Sequence, residues 1–141
     1  MPKGVQLACD VGTVRIGIAR SDFHGILATP LDAIPAGEGS TTQVKALIDE
    51  YEVQEIIVGL PLMMNGTEGP SAQMARDWAV ELEEHTTIPI RMVDERLTTV
   101  QAQRGLHAAG RTVKNSRASI DSASAVVLLQ SVLDSNKNET S

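Results

Sequence analysis

The segment over residues 5–21 constrains the fold more than any other part of the chain, because it holds two apolar runs separated by a tight turn. The first run ends at Asp10, Gly12 lies in the turn, and Ile16 and Ile18 alternate with other residues in the second run. Alternation with a period of two is typical of β-strands, so the segment is predicted to form a hairpin. This would hold the Asp10 carboxylate at the end of a strand. Asp10 can equally be an ordinary turn residue, since Asp is common in turns.

The length and composition indicate one domain. A chain of 141 residues can bury a hydrophobic core without disulfides or metals. The single Cys9 allows no internal disulfide and lies in an apolar run, where a cysteine is usually a core residue. No apolar run approaches the ~20 residues of a membrane span, and the first residues of the sequence contain no apolar run typical of a secretory signal. We expect a cytoplasmic protein with no membrane partner, one domain over residues 1–134, and a polar, disordered tail over 135–141.

Charge is distributed unevenly along the chain, which has a net charge of −6. Residues 32–84 include eleven acidic and two basic residues, whereas residues 91–117 include six basic and two acidic ones. The two acidic residues of the second segment are the neighbours Asp94 and Glu95. A basic segment that encloses two carboxylates suits a phosphate-bearing substrate held near a metal ion, although ordinary surface charge would give the same pattern.

Hydrophobic patterning predicts that the sheet has five strands. A third strand over residues 26–31 contains Pro30, which suits an edge strand because proline lacks an N–H donor. Short turns make the first three strands antiparallel neighbours. The continuous apolar run over residues 56–58 is typical of a strand buried on both faces, as in a parallel sheet. Residues 88–93 are predicted to form the fifth strand, with the fourth strand between the first and the fifth.

Four helices are predicted to flank this sheet. Apolar residues at helical spacing follow Thr41 or Thr42 and also follow Ser71, and these residues are candidate N-caps. A third helix is predicted over residues 98–109, and a last, well-buried helix follows Ser119. The predicted fold class is therefore α/β, with a mixed five-stranded sheet of three antiparallel and two parallel strands flanked by helices.

Three carboxylates are predicted to meet at one end of the sheet. Asp10 ends the first strand, Glu95 follows the fifth, and Asp121 lies in the first turn of the last helix. Ligands of such sheets bind outside the carboxyl ends of the strands. Divalent cations would relieve the repulsion between the carboxylates, and Mg²⁺ prefers such oxygen ligands. Two such ions can promote phosphodiester hydrolysis. Each residue also has an ordinary explanation, as a turn residue, an ion-pair partner or a helix N-terminal residue.

Five motifs follow one another in the order found in a known protein family. They are Asp10-Val11-Gly12-Thr13-x-Arg15-Ile16-Gly17, Val58-Gly59-Leu60-Pro61, Asn65-Gly66-x-Glu68-Gly69, Asp94-Glu95-Arg96-Leu97-Thr98-Thr99 and Ile120-Asp121. With these motifs the chain resembles the YqgF/RuvX-type family of Holliday-junction-resolvase-like proteins, also described as pre-16S rRNA nucleases. The resemblance covers residues from about 5 to 134.

The resemblance implies an RNase H-like fold and a bacterial cytoplasmic nuclease that depends on Mg²⁺ or Mn²⁺ and processes the 5′ end of pre-16S rRNA. It also implies that the catalytic and metal-binding carboxylates are Asp10, Glu95 and Asp121. The residues that it implies for substrate binding are Arg15, Asn65, Arg96, Lys114 and Arg117. The segment over residues 110–118 departs from the family pattern, because it holds fewer Lys and Arg residues than many members do. This departure weakens the expectation of tight, general binding to nucleic acid.

Several functions remain open on the sequence alone. The favoured one is a metal-dependent nuclease acting on an rRNA precursor. The alternatives are a resolvase of four-way DNA junctions, which would act as a two-fold dimer, and a noncatalytic RNA-binding factor. Asp-x-Gly-Thr also opens sugar kinases and actin-like ATPases, but 141 residues leave no room for the second domain that those proteins need. We expect rRNA to be preferred over a DNA junction, because a protein with a net charge of −6 is repelled by the broad, negatively charged surface of duplex DNA. We also expect a monomer or weak homodimer.

Overall fold

A computed structural model describes residues 4–97 and 120–140. Within these residues, five strands form one mixed sheet. The strands are β1 (Val5–Val11), β2 (Arg15–Ser21), β3 (Ala28–Pro35), β4 (Val53–Leu60) and β5 (Ile90–Asp94). Their order in the sheet is β3-β2-β1-β4-β5. The β1–β2 and β2–β3 pairs are antiparallel, whereas the β1–β4 and β4–β5 pairs are parallel. The predicted sheet, with β3 at one edge and β4 between β1 and β5, is confirmed.

Helices pack on both faces of the sheet. They are α1 (Ser40–Glu50), α2 (Pro70–Glu83) and α3 (Ala123–Thr140), and a single 3₁₀ turn (Glu95–Leu97) follows β5. One core cluster joins Leu7 of β1 to residues of α1 and α2, and a second joins Ala8 of β1 to residues of α3. Since successive side chains of a strand point to opposite faces, β1 is buried on both sides. This burial keeps the position of the strand end at Asp10 fixed.

The start of α1 differs from the prediction that Thr41 or Thr42 caps it. The N-cap position is Gly39, which has a φ of 87° and forms no side-chain capping bond. The hydroxyl of Ser40 is instead an acceptor for the indole N–H of Trp78 at 2.9 Å. A tertiary contact between α1 and α2 therefore replaces the local capping interaction that the sequence suggests.

Two other helix boundaries lie outside the predicted positions. Helix α2 begins at Pro70 after Gly69 rather than being capped by Ser71. Proline suits the first helical position because its φ is already helical and its missing N–H needs no partner there. Helix α3 continues to Thr140, past Asp134, after which the sequence predicts a disordered tail. Extending a formed helix gains one hydrogen bond for each residue that it orders, so a polar sequence can follow an apolar one without a break.

Strand β3 begins two residues later than predicted because a side chain holds its approach in a turn. The carboxylate of Asp22 accepts hydrogen bonds from the backbone N–H groups of Ile26 and Leu27, both at 2.8 Å. These N–H groups are therefore satisfied within the turn rather than in the sheet. Burial tends to raise the pKa of Asp22, but the backbone hydrogen bonds outweigh it and lower that pKa.

Some predicted features lie outside the described residues. They are the helix over residues 98–109, the basic segment with Lys114 and Arg117, and the N-cap at Ser119. Among the helices that the structure does describe, none combines the length and apolar character needed to cross a membrane.

Candidate active site

The carboxyl ends of β1, β4 and β5 lie at the same end of the sheet because these strands run parallel. We call this the carboxylate end. Asp10 is the penultimate residue of β1, and Gly59 is the penultimate residue of β4. Glu95 directly follows β5, whose residue Val93 is the register partner of Gly59. The predicted positions of Asp10 and Glu95, at the ends of the two parallel strands on either side of β4, agree with the structure.

Asp10 and Glu95 form a carboxyl pair. Burial, a hydrogen bond with Asp10 and the negative charges of Asp10 and Asp94 raise the pKa of Glu95 from 4.5 to about 8. The pair is therefore held together by a proton at neutral pH when no cation is present. Gly59 makes room for it, since a Cβ at residue 59 would lie 3.0 Å from Cγ of Glu95 and would collide with its carboxyl oxygen.

Asp121 lies against β2, which is on the opposite side of β1 from β4 and β5. Its carbonyl oxygen lies 3.0 Å from the place that a Cβ of Gly17 would occupy, and Cβ of Asp10 lies 3.7 Å from that place. Gly17 is also the register partner of Asp10. Oδ2 of Asp121 lies 3.8 Å from Nε of Arg15, and the Asp121 side chain is 19% exposed. The structure thus brings Asp10 and Asp121 together over the face of one glycine, with Arg15 beside Asp121.

Ser122 fixes the chain that carries Asp121. Its hydroxyl accepts a hydrogen bond from the N–H of Ile18 at 2.9 Å and donates one to the carbonyl of Leu31 at 2.7 Å. Ile18 and Leu31 are register partners at a point where the β2–β3 ladder is irregular. The fully buried hydroxyl therefore bridges the two strands and anchors the residues preceding α3 to the sheet.

The loop after β4 approaches the residue that follows Glu95. The guanidinium Nη1 of Arg96 lies 3.7 Å from the Cβ position of Gly66. Arg96 also pairs with Asp94 at 2.8 Å, and the side chain of Asn65 accepts hydrogen bonds from the N–H and hydroxyl of Thr67. Arg96 therefore lies beside the residue that follows Asn65, and Asn65 and Arg96 each organise their own turn.

The donor chemistry at the carboxylate end fits a hard divalent cation, although a complete ligand set is not assembled. Within residues 4–97 and 120–140, no group of three or more His, Cys, Asp or Glu side chains has a spacing that would hold a metal ion. Mg²⁺ is usually bound by only one or two protein carboxylates, with substrate phosphates and water completing its shell. The paired oxygens of Asp10 and Glu95 match that requirement, and a cation would replace the proton that they share.

Two residues that shape this site, Gly17 and Ser122, were missed by the sequence-based reasoning. Gly17 lies between Ile16 and Ile18 inside β2, and a glycine in a strand often marks close approach of another backbone. That signal could have identified it. Ser122 carries no local signal, because its role depends on strands that are about 90 to 100 residues away in sequence.

The mixed sheet with helices on both faces defines the class of fold as RNase H-like. The structure of Thermus thermophilus RuvC in complex with a Holliday junction substrate matches with a TM-score of 0.65 and 9% identity, over 96% of both chains. A second structure of Thermus thermophilus RuvC matches with a TM-score of 0.64 and 11% identity, over 95% of this chain and 96% of that one. At such low identities the likeness shows the fold.

The family follows from the sequence. The family model RuvX, described as Holliday junction resolvase, matches residues 4–135, and the chain belongs to this family. A relative from Mycobacterium ulcerans is 49% identical over 138 residues, which cover 96% of this chain and 81% of that protein. One from Streptomyces avermitilis is 44% identical over 140 residues, covering 97% and 90%. Both carry the provisional name of pre-16S rRNA nuclease, and the chain is accordingly a hydrolase of phosphodiester bonds.

Proposed function

We propose that this protein is a cytoplasmic, divalent-metal-dependent nuclease that processes the 5′ end of pre-16S rRNA. Its catalytic and metal-binding residues are Asp10, Glu95 and Asp121. The observation that carries the proposal is the Asp10–Glu95 carboxyl pair at the carboxylate end of a RuvC-like fold. The RNA substrate is supported by the names of relatives that are 44–49% identical.

The chemistry depends on removing the proton that Asp10 and Glu95 share. Mg²⁺ or Mn²⁺, when bound, supplies positive charge for the scissile phosphate and lowers the pKa of an attacking water. Asp10 and Glu95 would hold it through ionised oxygens, with Asp121 nearby. Arg15, which is beside Asp121, and Arg96, which is beside the loop after β4, would attract and orient backbone phosphates. Lys114 and Arg117 would add further phosphate contacts, and the enzyme would act as a monomer or weak homodimer.

Neutralising the three carboxylates tests this assignment. We expect Asp10→Asn, Glu95→Gln and Asp121→Asn each to reduce cleavage by about 100-fold or more, because each removes a charge from the metal-binding end. Asp49→Asn, at the other end of the sheet in α1, is the control and should cleave normally. Cleavage of an RNA that spans the 5′ end of the pre-16S sequence is measured with Mg²⁺ and with Mn²⁺, and circular dichroism checks the fold. A folded variant with near wild-type activity would exclude its residue from the site.

A second function, resolution of four-way DNA junctions, is favoured by one specific observation. The family model that matches the chain is described as Holliday junction resolvase. Such an enzyme must cut two symmetric strands, so it would require a two-fold dimer under assay conditions. Analytical sedimentation at the protein concentration of the cleavage assay shows whether the active species is a monomer or a dimer. A strictly monomeric active species would favour the RNA substrate.

A further inference from the structure

A cleft of about 520 Å³ opens beside Asp121, at the end of the sheet where β2 begins and β3 ends. Among the residues that the structure describes, its lining comprises Val14, Arg15, Asp32, Ala33, Pro35 and Asp121. The volume falls within the ~300–1,000 Å³ that is typical of small-ligand sites. The cleft shares Asp121 with the carboxylate end, so a nucleotide in it would lie next to the position of the scissile phosphate.

The walls of the cleft are held by the strand ends around it. Arg15 of β2 is the register partner of Pro35 of β3. The carbonyl of Val14 accepts a hydrogen bond from the N–H of Ala36 at 2.9 Å, which ties the β1–β2 turn to the end of β3. The Val14 side chain is nevertheless 67% exposed, although it is apolar and lies in a tight turn. A preformed wall with an exposed apolar side chain is suited to the flat face of a base.

We propose that this cleft binds one unpaired nucleotide of the substrate strand and that Asp32 selects guanine at this position. The inference rests on the proposed function because it assumes that the substrate is a nucleic acid strand. Val14, Ala33 and Pro35 provide apolar contacts for the base. The half-exposed guanidinium of Arg15 provides positive charge for the adjoining phosphate.

Asp32 supplies the selectivity because an ionised carboxylate only accepts hydrogen bonds. Guanine presents two adjacent donors, N1–H and the 2-amino group, to which both carboxylate oxygens can bind. Uracil presents one N–H between two carbonyl oxygens, and these would repel the carboxylate. Asp32 is exposed, and no ion pair involves it among the parts of the chain that the structure describes. Base pairing would occupy the same guanine edge, so the nucleotide has to be unpaired.

Nucleotide titrations without divalent ions test the inference separately from catalysis. The wild-type protein is titrated with 5′-GMP and with 5′-UMP while its backbone amide signals are followed by NMR. We expect GMP to shift the signals of Val14 and Ala33 and to bind about tenfold more tightly than UMP, as for a good bidentate base contact. Asp32→Asn should remove this preference because its amide presents a donor in place of one acceptor. Glu50→Gln, which removes an exposed carboxylate at the opposite end of the sheet, should leave the preference intact.

Three results would overturn the inference: equal affinity for the two nucleotides in the wild-type protein, a guanine preference that survives Asp32→Asn, or shifts that avoid the cleft. RNA cleavage assays on the same samples separate this outcome from the proposed function. If the wild-type protein cleaves RNA but does not distinguish GMP from UMP, the inference fails alone. If GMP binds selectively in the cleft while no RNA is cleaved, the cleft is supported and the proposed function fails.

Discussion

At the scale of single residues, the Glu95 carboxyl determines how the carboxylate end responds to pH. Its pKa is raised from 4.5 to about 8 by burial, by the hydrogen bond with Asp10 and by the neighbouring negative charges. Without a cation, the folded protein keeps this proton in a pH range where the unfolded chain has released it. The favourable contribution of the protonated group is therefore complete below about pH 4.5 and disappears as the pH rises towards 8.

We expect the metal-free wild-type protein to lose stability relative to Glu95→Gln as the pH rises from 5 to 8. The relative loss should be about 1–2 kcal/mol, since Glu95 is only half-buried and solvent screens part of the shift. Urea denaturation of both proteins at several pH values in a chelating buffer measures the difference. Mg²⁺ should restore the stability of the wild type above pH 7 by binding its ionised pair, and should affect Glu95→Gln less. Parallel pH profiles for the two proteins would contradict the carboxyl pair.

The residue scale also shows what a sequence can predict about the site. Asp10 and Glu95 could be predicted, because each directly follows or ends an apolar strand and parallel strands end together. The prediction that Asp121 lies in the first turn of the last helix was wrong, because α3 begins two residues later at Ala123, and the closeness of Asp121 to Arg15 depends on how the chain before α3 crosses the sheet. The cleft that includes Asp32 could not be predicted, since nothing in the order of residues relates Asp32 to Asp121 before the strands are paired.

At the scale of elements, α3 is connected to the sheet by one hydroxyl group as well as by its apolar face. The Ser122 hydroxyl satisfies the N–H of Ile18 and the carbonyl of Leu31, which face each other across the irregular part of the β2–β3 pair. Asp121 is the preceding residue, so this anchor also sets its position. The hydrophobic pattern predicts the helix and its buried faces, but a polar anchor of this kind has no periodic signature.

We expect Ser122→Ala to destabilise the protein by about 1–3 kcal/mol, because it leaves two buried backbone groups without a partner. It should also raise the concentration of Mg²⁺ needed for half-maximal cleavage, since the backbone of Asp121 loses its tether. Ser124→Ala is the control, because Ser124 is an exposed serine in the first turn of α3, and its effect should stay within about 0.5 kcal/mol. Urea titrations and Mg²⁺ titrations of cleavage provide the two measurements. A Ser122→Ala protein that is less stable but has an unchanged Mg²⁺ requirement would limit Ser122 to a structural role.

At the scale of the whole molecule, both ends of the sheet hold clustered acidic residues, but the carboxylate end also holds two arginines. Four acidic residues, Asp49, Glu52, Glu83 and Glu84, line a cleft of about 660 Å³ where β4 begins, at the opposite end of the sheet. The side chains of Arg15 and Arg96, which are 51% and 46% exposed, lie beside the carboxylates instead. The excess of acidic residues could be counted from the sequence, but the separation of these two arginines from the acidic cleft at the opposite end required the fold.

This separation leads us to expect faster cleavage of single-stranded or irregular RNA than of a four-way DNA junction. Duplex DNA carries one charge per ~1.7 Å of helix axis, so junction arms that extend over the protein would meet its acidic end. A thin RNA strand can instead pass the carboxylates and contact only Arg15, Arg96 and the basic segment that follows. Lys114→Ala combined with Arg117→Ala should then make the slope of log K against log salt concentration shallower by about 1.4, at ~0.7 for each single-strand phosphate contact. Cleavage of both substrates is compared at equal concentration and ~0.15 M salt with Mg²⁺ or Mn²⁺, and binding to each is measured across a salt series. An unchanged slope would show that Lys114 and Arg117 do not contact the strand. Symmetric nicking of the junction with the RNA left intact would instead establish the chain as a junction resolvase.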